Sequence, residues 1–344
     1  PNWFDCVGEE HKAVRERVAL IDQTSFSKFR ISGPGALDLL QYLAVSNIDK
    51  PIGKIIYTQF LNSRGGIEAD LTISRTGEEE FYIVTGSAFG VHDRSWIEKH
   101  SPRDGSVVID DLTEEFGVIN LCGPHARDVL QNVTDDDISN ETLPFSSYAD
   151  IRVAGHPVRA MRIGYVGELG WEMHMGRENM PAVYKALAEA GSQYDIADVG
   201  YRAIDSLRME KGYLYWSSDI SPDYNPFEAG LGFRVNMKKG DFIGRDALIA
   251  IRENGGPERK IAYFTLEKYM PVYGSEPIMR EGRILDVTTS ANFGYTIGKP
   301  LVFGYLPVQE FENRNFSVEA FGEVIPATRH DGPLYDPEMK KLKL

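Results

Sequence analysis

Two carboxylates in this chain sit in patterns that could do more than face water. Asp70 lies in Gly65-Gly66-Ile67-Glu68-Ala69-Asp70-Leu71-Thr72-Ile73-Ser74. Strand alternation sends Ile67, Ala69, Leu71 and Ile73 to one face and Glu68, Asp70 and Thr72 to the other. By pattern alone, that second face is more often a solvated surface than a catalytic one. Glu168 lies in Tyr165-Val166-Gly167-Glu168-Leu169-Gly170-Trp171-Glu172, a tight glycine turn between two strand-like runs. Acidic residues are ordinary in such wet turns. A third segment, Asp205 to Leu248, begins as a helix, with Ala203, Ile204 and Leu207 on one side, and stops at Gly212. There Tyr213, Tyr215 and Trp216 stand beside Asp219, and Asn225-Pro226-Phe227-Glu228 leads into a glycine-punctuated apolar run. Flat rings beside a few fixed polar groups suit a planar heterocycle with hydrogen-bonding edges.

Composition narrows the partners. The 344 residues are 42% hydrophobic and 26% charged, ordinary for a soluble globular protein of two or three domains. No run of about 18 apolar residues exists, so no spanning helix is expected. PNWFDCVGEEHK at the start is neither a signal peptide nor an Arg-rich transit segment; Pro1 fits removal of an initiator Met or excision from a longer chain. Cys6 and Cys122 lack metal-type spacing, which favours a reducing intracellular setting, and the seven histidines form no HxxxH or HxH pair, so no metal is expected. A net charge of −14 argues against nucleic acid, and it obliges an anionic ligand to find a local basic patch.

The elements that must hold these residues show an internal echo. Phe29-Arg30-Ile31-Ser32-Gly33-Pro34-Gly35-Ala36, followed by Leu37-Asp38-Leu39-Leu40-Gln41, returns as Ile119-Asn120-Leu121-Cys122-Gly123-Pro124-His125-Ala126 with Arg127-Asp128-Val129-Leu130-Gln131. Each reads as a strand, a Gly-Pro joint and an amphipathic helix. A candidate hairpin follows each: Gly66–Ser74 with Phe81–Thr85, and Pro157–Ile163 with Trp171–Met175. From Lys260 the pattern turns to short strands, Lys260–Leu266, Ile284–Thr289, Leu301–Leu306 and Phe316–Ala320, which predict a small β-barrel or sandwich. The expected class is α+β. Residues 1–255 would hold two related units (about 1–110 and 111–255), and 256–344 the barrel, with Asn254–Glu258 as linker and a polar tail, Asp331–Leu344, wrapping the surface.

Three motifs carry a family resemblance: Gly-Gly-Ile-x-x-Asp-Leu around Asp70, Tyr-x-Gly-Glu-x-Gly around Glu168, and Asp-Ser-Leu-Arg-x-Glu from Asp205 to Glu210. With the opening WFDCVGEEHKAVRERVALIDQTSFSKFRISGP and the closing ANFGYTIGKPLVFGYLP and PATRHDGPLYDP, they resemble the tetrahydrofolate-dependent aminomethyltransferase family, which includes the glycine-cleavage T-protein. The likeness is strongest to the folate-binding C-terminal half of dimethylglycine and sarcosine dehydrogenases or oxidases. It implies a three-lobed disc around a central folate channel. It implies that Asp70 approaches N10 of tetrahydrofolate and that Glu168 accepts hydrogen bonds from the pterin 2-amino group and N3. Arg208 would be a folate-site residue or its support, against the plain reading of an Asp205–Arg208 helix pair. Tyr57, Tyr215 and Trp216 would line the channel unless they are simple core. Thr72 shares the Asp70 face, and Val84-Thr85 would pass the benzoyl and glutamate part. Lys238-Lys239 could serve the glutamate tail or be a solvated pair.

The function so implied is capture of the carbon unit of an oxidised N-methyl amine, as iminium or formaldehyde, in the form of 5,10-methylenetetrahydrofolate. The chain contains no GxGxxG, so FAD is expected only on a separate or missing N-terminal domain or subunit. A stand-alone S- or O-demethylase and a non-catalytic folate-binding module are the alternatives. The expected setting is cytoplasmic, or the mitochondrial matrix in a eukaryote.

Overall fold

In a computed structural model describing residues 1–344, the chain opens with helix α1 (Phe4–Glu16) and strand β1 (Ala19–Asp22), then runs through one arrangement twice. The first copy is β2 (Ser27–Ser32), α2 (Ala36–Leu43), β3 (Ile55–Leu61), β4 (Ile67–Arg75), β5 (Glu80–Thr85), α3 (Gly90–His100) and β6 (Val108–Asp111). The second is β7 (Phe116–Cys122), α4 (Ala126–Gln131), β8 (Tyr148–Val153), β9 (His156–Met161), β10 (Gly170–Gly176), α5 (Met180–Gly191) and β11 (Ala197–Asp198). Glycine is required at both joints. Gly33 has φ +109° and Gly123 φ +121°, and a Cβ there would stand 2.4 Å from the Ser106 carbonyl oxygen or 2.7 Å from that of Arg17.

The two sheets share one strand order. The first runs β3-β4-β5-β2-β6 and the second β8-β9-β10-β7-β1-β11. In the second sheet β1 takes the place that β6 takes in the first. This moves the expected unit boundary. Residues 19–22 belong to the second sheet, antiparallel to β7 and parallel to β11, because Val18 and Leu20 bury in that sheet's core. Helix α1 packs on α6 (Tyr201–Glu210). A long loop region and α7 (Arg245–Glu253) then lead to the barrel.

Both predicted hairpins form, with Leu71 opposite Thr85 and Glu172 opposite Met161. Each sheet buries one face under its helices; Phe29, Leu71 and Phe81 are core in the first, and Leu121, Trp171 and Met173 in the second. The other faces meet across a layer that includes Tyr82, Val84 and Met161. The C-terminal strands β12 (Arg259–Leu266), β13 (Pro277–Arg280), β14 (Arg283–Gly294), β15 (Lys299–Pro307), β16 (Asn315–Ala320) and β17 (Glu323–His330) close into a six-stranded barrel rather than a sandwich. Strands β13 and β17 escaped sequence reading, the one for its four residues, the other for Pro326. The tail does more than wrap the surface: Leu342 is buried and Tyr335 reaches the turn that carries Glu168. No helix is long and apolar enough to cross a membrane.

Candidate functional site

Register alone gathers the first group. Strand β3 lies against β4 with Tyr57 opposite Thr72 and Gln59 opposite Asp70, and β5 sets Val84 opposite Thr72. Tyr57, Asp70, Thr72 and Val84 therefore share one sheet face, and that face looks inward, not to solvent. The Gln59 amide donates to Asp70 Oδ1 at 2.7 Å. Some of the Asp70 surface stays open, yet protein surrounds it at depth, and burial pushes its carboxyl up to about 6. Hydrogen bonding from Gln59 and Tyr57 and the charge of Arg234 oppose that rise, while Asp93 adds to it. The Tyr57 hydroxyl is driven well above its ordinary range by burial and by the Asp70 charge. Thr85 departs from expectation. As an odd-numbered strand residue it turns to the other face, where its hydroxyl donates to buried Asp93 at 2.5 Å, so its side chain is not free to meet a ligand beside Asp70.

The second group forms around the glycine turn. Gly167 takes φ +87°, and a Cβ there would meet the Lys211 side chain at 2.9 Å. Glu168 is 1% exposed. Its Oε1 accepts from Arg15 Nη1 at 3.0 Å and from the Tyr335 hydroxyl at 2.5 Å. No protein hydrogen bond reaches its Oε2. The Arg15 guanidinium lies 3.8 Å from the Tyr335 ring centroid and also bonds Val166 O, Leu207 O and Glu210 Oε2. Burial raises the Glu168 pKa, and Arg15 and then Tyr335 draw it back.

Tyr165 and Tyr213 stand between the groups, stacked with centroids 5.8 Å apart and planes 15° from parallel. Tyr165 feels the charges of Arg208, Asp219 and Asp70, and Tyr213 those of Asp336, Arg234 and Arg15. Burial holds both hydroxyls far above their ordinary range.

Arg208 is buried and committed to protein partners: Asp219 and Asp205 at 2.7 Å each and Ser290 at 2.9 Å. It supports the site rather than offering a free guanidinium. Tyr215 is 43% exposed, and its backbone N–H donates to Asp219. Trp216 packs edge-on to Phe89 and donates to Ile67 O at 3.1 Å, pinning this loop to the start of β4. Lys239 is turned inward between the carbonyls of Gln41 and Ala44, where burial lowers its amine to about 7; only Lys238 faces solvent.

Sequence reading missed Arg15, Gln59, Tyr335 and Arg234. One signal was available for Arg15, a charge on the same helical stripe as Val7, His11 and Val14. Among the buried side-chain polar atoms that find no partner, four are Gln59 Oε1, Ser74 Oγ, Asn120 Oδ1 and His174 Nε2. Apart from that of Gln59, which lies beside Asp70, they sit in the layer between the two sheets. Orphaned donors and acceptors of this kind fit a polar ligand that fills the gap.

The fold and these motifs define a family. Residues 1–239 match the GCVT N-terminal domain, and residues 259–336 the glycine cleavage T-protein C-terminal barrel domain. The chain belongs to the glycine cleavage T-protein family of tetrahydrofolate-dependent aminomethyltransferases. It is 38% identical to mouse mitochondrial dimethylglycine dehydrogenase over its whole length, spanning 40% of that protein. It is 33% identical to the aminomethyltransferase of Symbiobacterium thermophilum, covering 90% of this chain and 83% of that one. The crystal structure of the glycine cleavage system aminomethyltransferase T from Bartonella henselae matches with a TM-score of 0.86 at 27% identity, over 96% of this chain and 90% of that chain.

Proposed function

We propose that this chain binds tetrahydrofolate between Glu168 and Asp70 and captures a carbon unit from an oxidised N-methyl amine as 5,10-methylenetetrahydrofolate. The observation that carries this reading is the contrast between two inward carboxylates, Glu168 held at one oxygen by Arg15 and Tyr335 and Asp70 held by neutral donors, with the stacked Tyr165 and Tyr213 feeling charges from both groups. Bound tetrahydrofolate would supply the nitrogen nucleophiles for the carbon unit. Glu168 Oε2 is the acceptor left for a pterin N–H edge, while Arg15 and Tyr335 fix the plane of the carboxylate through Oε1. Tyr165 and Tyr213 offer flat faces to the ligand and keep bulk water away.

Asp70, with one oxygen tied to Gln59, keeps the other to take a proton at N10. A carboxyl titrating near 6 is largely ionised at pH 7 yet basic enough to hold that proton briefly. Tyr57, Thr72 and Val84 shape the wall beside it, and Arg208 acts from behind through Asp219. Oxidation of the amine would belong to a flavin domain or subunit outside residues 1–344, in a reducing compartment such as the cytoplasm or the mitochondrial matrix.

Titration calorimetry with tetrahydrofolate tests the binding half. Wild type should bind, and Glu168→Gln should bind about 10–150-fold more weakly, the factor for about 1.5–3 kcal/mol in a hydrogen bond to a charged group. Equal affinity in the two proteins would remove Glu168 from the site, and no binding by wild type would end the reading. Folate binding without any carbon transfer would leave the chain a non-catalytic folate module.

A further inference from the structure

Glu210, the last residue of α6, is a fully buried carboxylate whose two oxygens are both committed to protein. Its Oε1 accepts the backbone N–H groups of Thr296 and Ile297, at 2.8 and 3.2 Å, in the turn that joins β14 to β15. Its Oε2 accepts from Arg15 Nε at 3.3 Å and Nη2 at 3.2 Å, and His11 Nε2 stands 3.2 Å away. With no surface open to a ligand, any part that Glu210 takes in binding must run through its neighbours.

Those neighbours are the two groups that hold Glu168. Arg15 places all five of its N–H bonds on protein acceptors. Nε and Nη2 meet Glu210, Nη2 also meets Leu207 O, and Nη1 divides between Val166 O and Glu168 Oε1. A guanidinium is a rigid planar fork, so the bonds to Glu210 fix the direction in which Nη1 meets Glu168. Tyr335 is held from the same residue by another route. Its backbone N–H donates to the Glu210 carbonyl at 3.0 Å, while its hydroxyl donates to Glu168 Oε1. One residue that makes no hydrogen bond to Glu168 thus carries both of its partners, the first by side chain and the second by backbone. The barrel fits closely behind it: a Cβ on Gly294 would stand 3.1 Å from Glu210 Oε1.

Resting on the reading of Glu168 given above, we propose that Glu210 is a positioning residue for pterin recognition. It clamps Arg15 and seats Tyr335 so that Glu168 presents its Oε2 to the donor edge of the ligand, and the Thr296–Ile297 turn anchors the clamp. The C-terminal barrel therefore takes part in folate recognition through a backbone turn packed behind Glu210. His11 braces the clamp from α1. The Ser206 hydroxyl donates to Phe293 O at 2.6 Å, which leaves His11 Nδ1 to donate to Ser206 Oγ at 3.0 Å and aims Nε2 at Glu210 and the Thr296 hydroxyl.

The test is a double-mutant cycle on the intact 344-residue chain, with tetrahydrofolate affinity measured in wild type, Glu210→Gln, Glu168→Gln and the double variant. Glu210→Gln keeps the shape but sets an NH₂ group against donors whichever way the amide turns, because both native oxygens only accept. We expect it to weaken tetrahydrofolate binding about 10-fold in the wild-type background and less than about 2-fold beside Glu168→Gln, where the clamp has no carboxylate left to orient. His11→Asn, which can still donate to Ser206 but cannot reach Glu210, is a milder second variant. It should cost a few-fold with the same pattern, and it carries the cycle if Glu210→Gln does not fold. Melting temperatures are recorded alongside, and titrations are run below the lowest of them. An unchanged affinity in the single variants, or a loss of equal size in both backgrounds, overturns the proposal and leaves Glu210 purely structural. Glu168→Gln binding as tightly as wild type defeats the function proposed above, whereas a weakened Glu168→Gln with an additive Glu210→Gln defeats only this inference.

Discussion

Asp70 and Glu168 are both buried carboxylates on inner surfaces of related α+β units, and their neighbours make them opposites. Glu168 bonds a cation and a phenol at one oxygen, and the same Arg15 holds a second buried carboxylate, Glu210. Asp70 is bonded by neutral donors alone, the Gln59 amide and the Tyr57 hydroxyl, and the Arg234 charge opposes its rise without bonding it. Both are pushed up by burial, but only at Glu168 does a direct ion pair oppose that push. A carboxylate held by a guanidinium at one oxygen keeps the other to recognise donors. One left with neutral donors can exchange a proton near neutral pH. The difference teaches that burial supplies the same push to both, and the partner decides whether the group binds or reacts.

Removing Arg15 should break this comparison most severely. Arg15→Leu leaves Glu168 and Glu210 buried without their shared cation, and we expect a loss of about 3–5 kcal/mol in urea unfolding at pH 7. A cost under about 1 kcal/mol would mean that Glu168 does not depend on its partner.

Asp70→Asn should move stability the other way. The folded carboxyl titrates at about 6 against an ordinary 3.8, so the native chain takes up this proton more readily than the unfolded one. Stability falls as pH rises between those values, and the full penalty is present above 6. The Asn variant should therefore be about 1–3 kcal/mol more stable than wild type at pH 7, the gain fading below pH 4. Parallel urea melts at the two pH values decide it; a difference independent of pH would show that Asp70 is not strained by burial.

The smallest change sharpens the Glu168 side. Tyr335→Phe deletes one of two donors to Oε1 while Arg15 remains, and about 1 kcal/mol of stability should go with it. A null result in the same melts would make the tail's phenol a bystander.

Much of the frame could be read from the sequence because it is local. The Gly-Pro joints, the hairpins around β4–β5 and β9–β10, and the placing of Asp70 opposite the Leu71 face all follow from short-range alternation and backbone conformation. What escaped was long-range. Arg15 and Tyr335 meet Glu168 from 153 and 167 residues away, and nothing in either segment's own pattern announces the meeting. The transfer of β1 to the second sheet is the same kind of fact, set by where Val18 and Leu20 find a core. Thr85 neighbours Val84 in sequence, but strand alternation turns its side chain to the other face, toward Asp93.

The central claim is that Asp70 handles a proton during carbon transfer, and the direct test is the pH dependence of that transfer. Formation of methylenetetrahydrofolate from tetrahydrofolate and formaldehyde is followed above the uncatalysed background across pH 5–8. Wild type should rise through a single step near 6 and level off, as the base loses its own proton. Asp70→Asn should lower the plateau by about 10²–10⁴-fold and abolish the step. A wild-type rate without that step, or an Asn variant as fast as wild type, would contradict a catalytic Asp70 and leave a cavity that merely gathers its ligands.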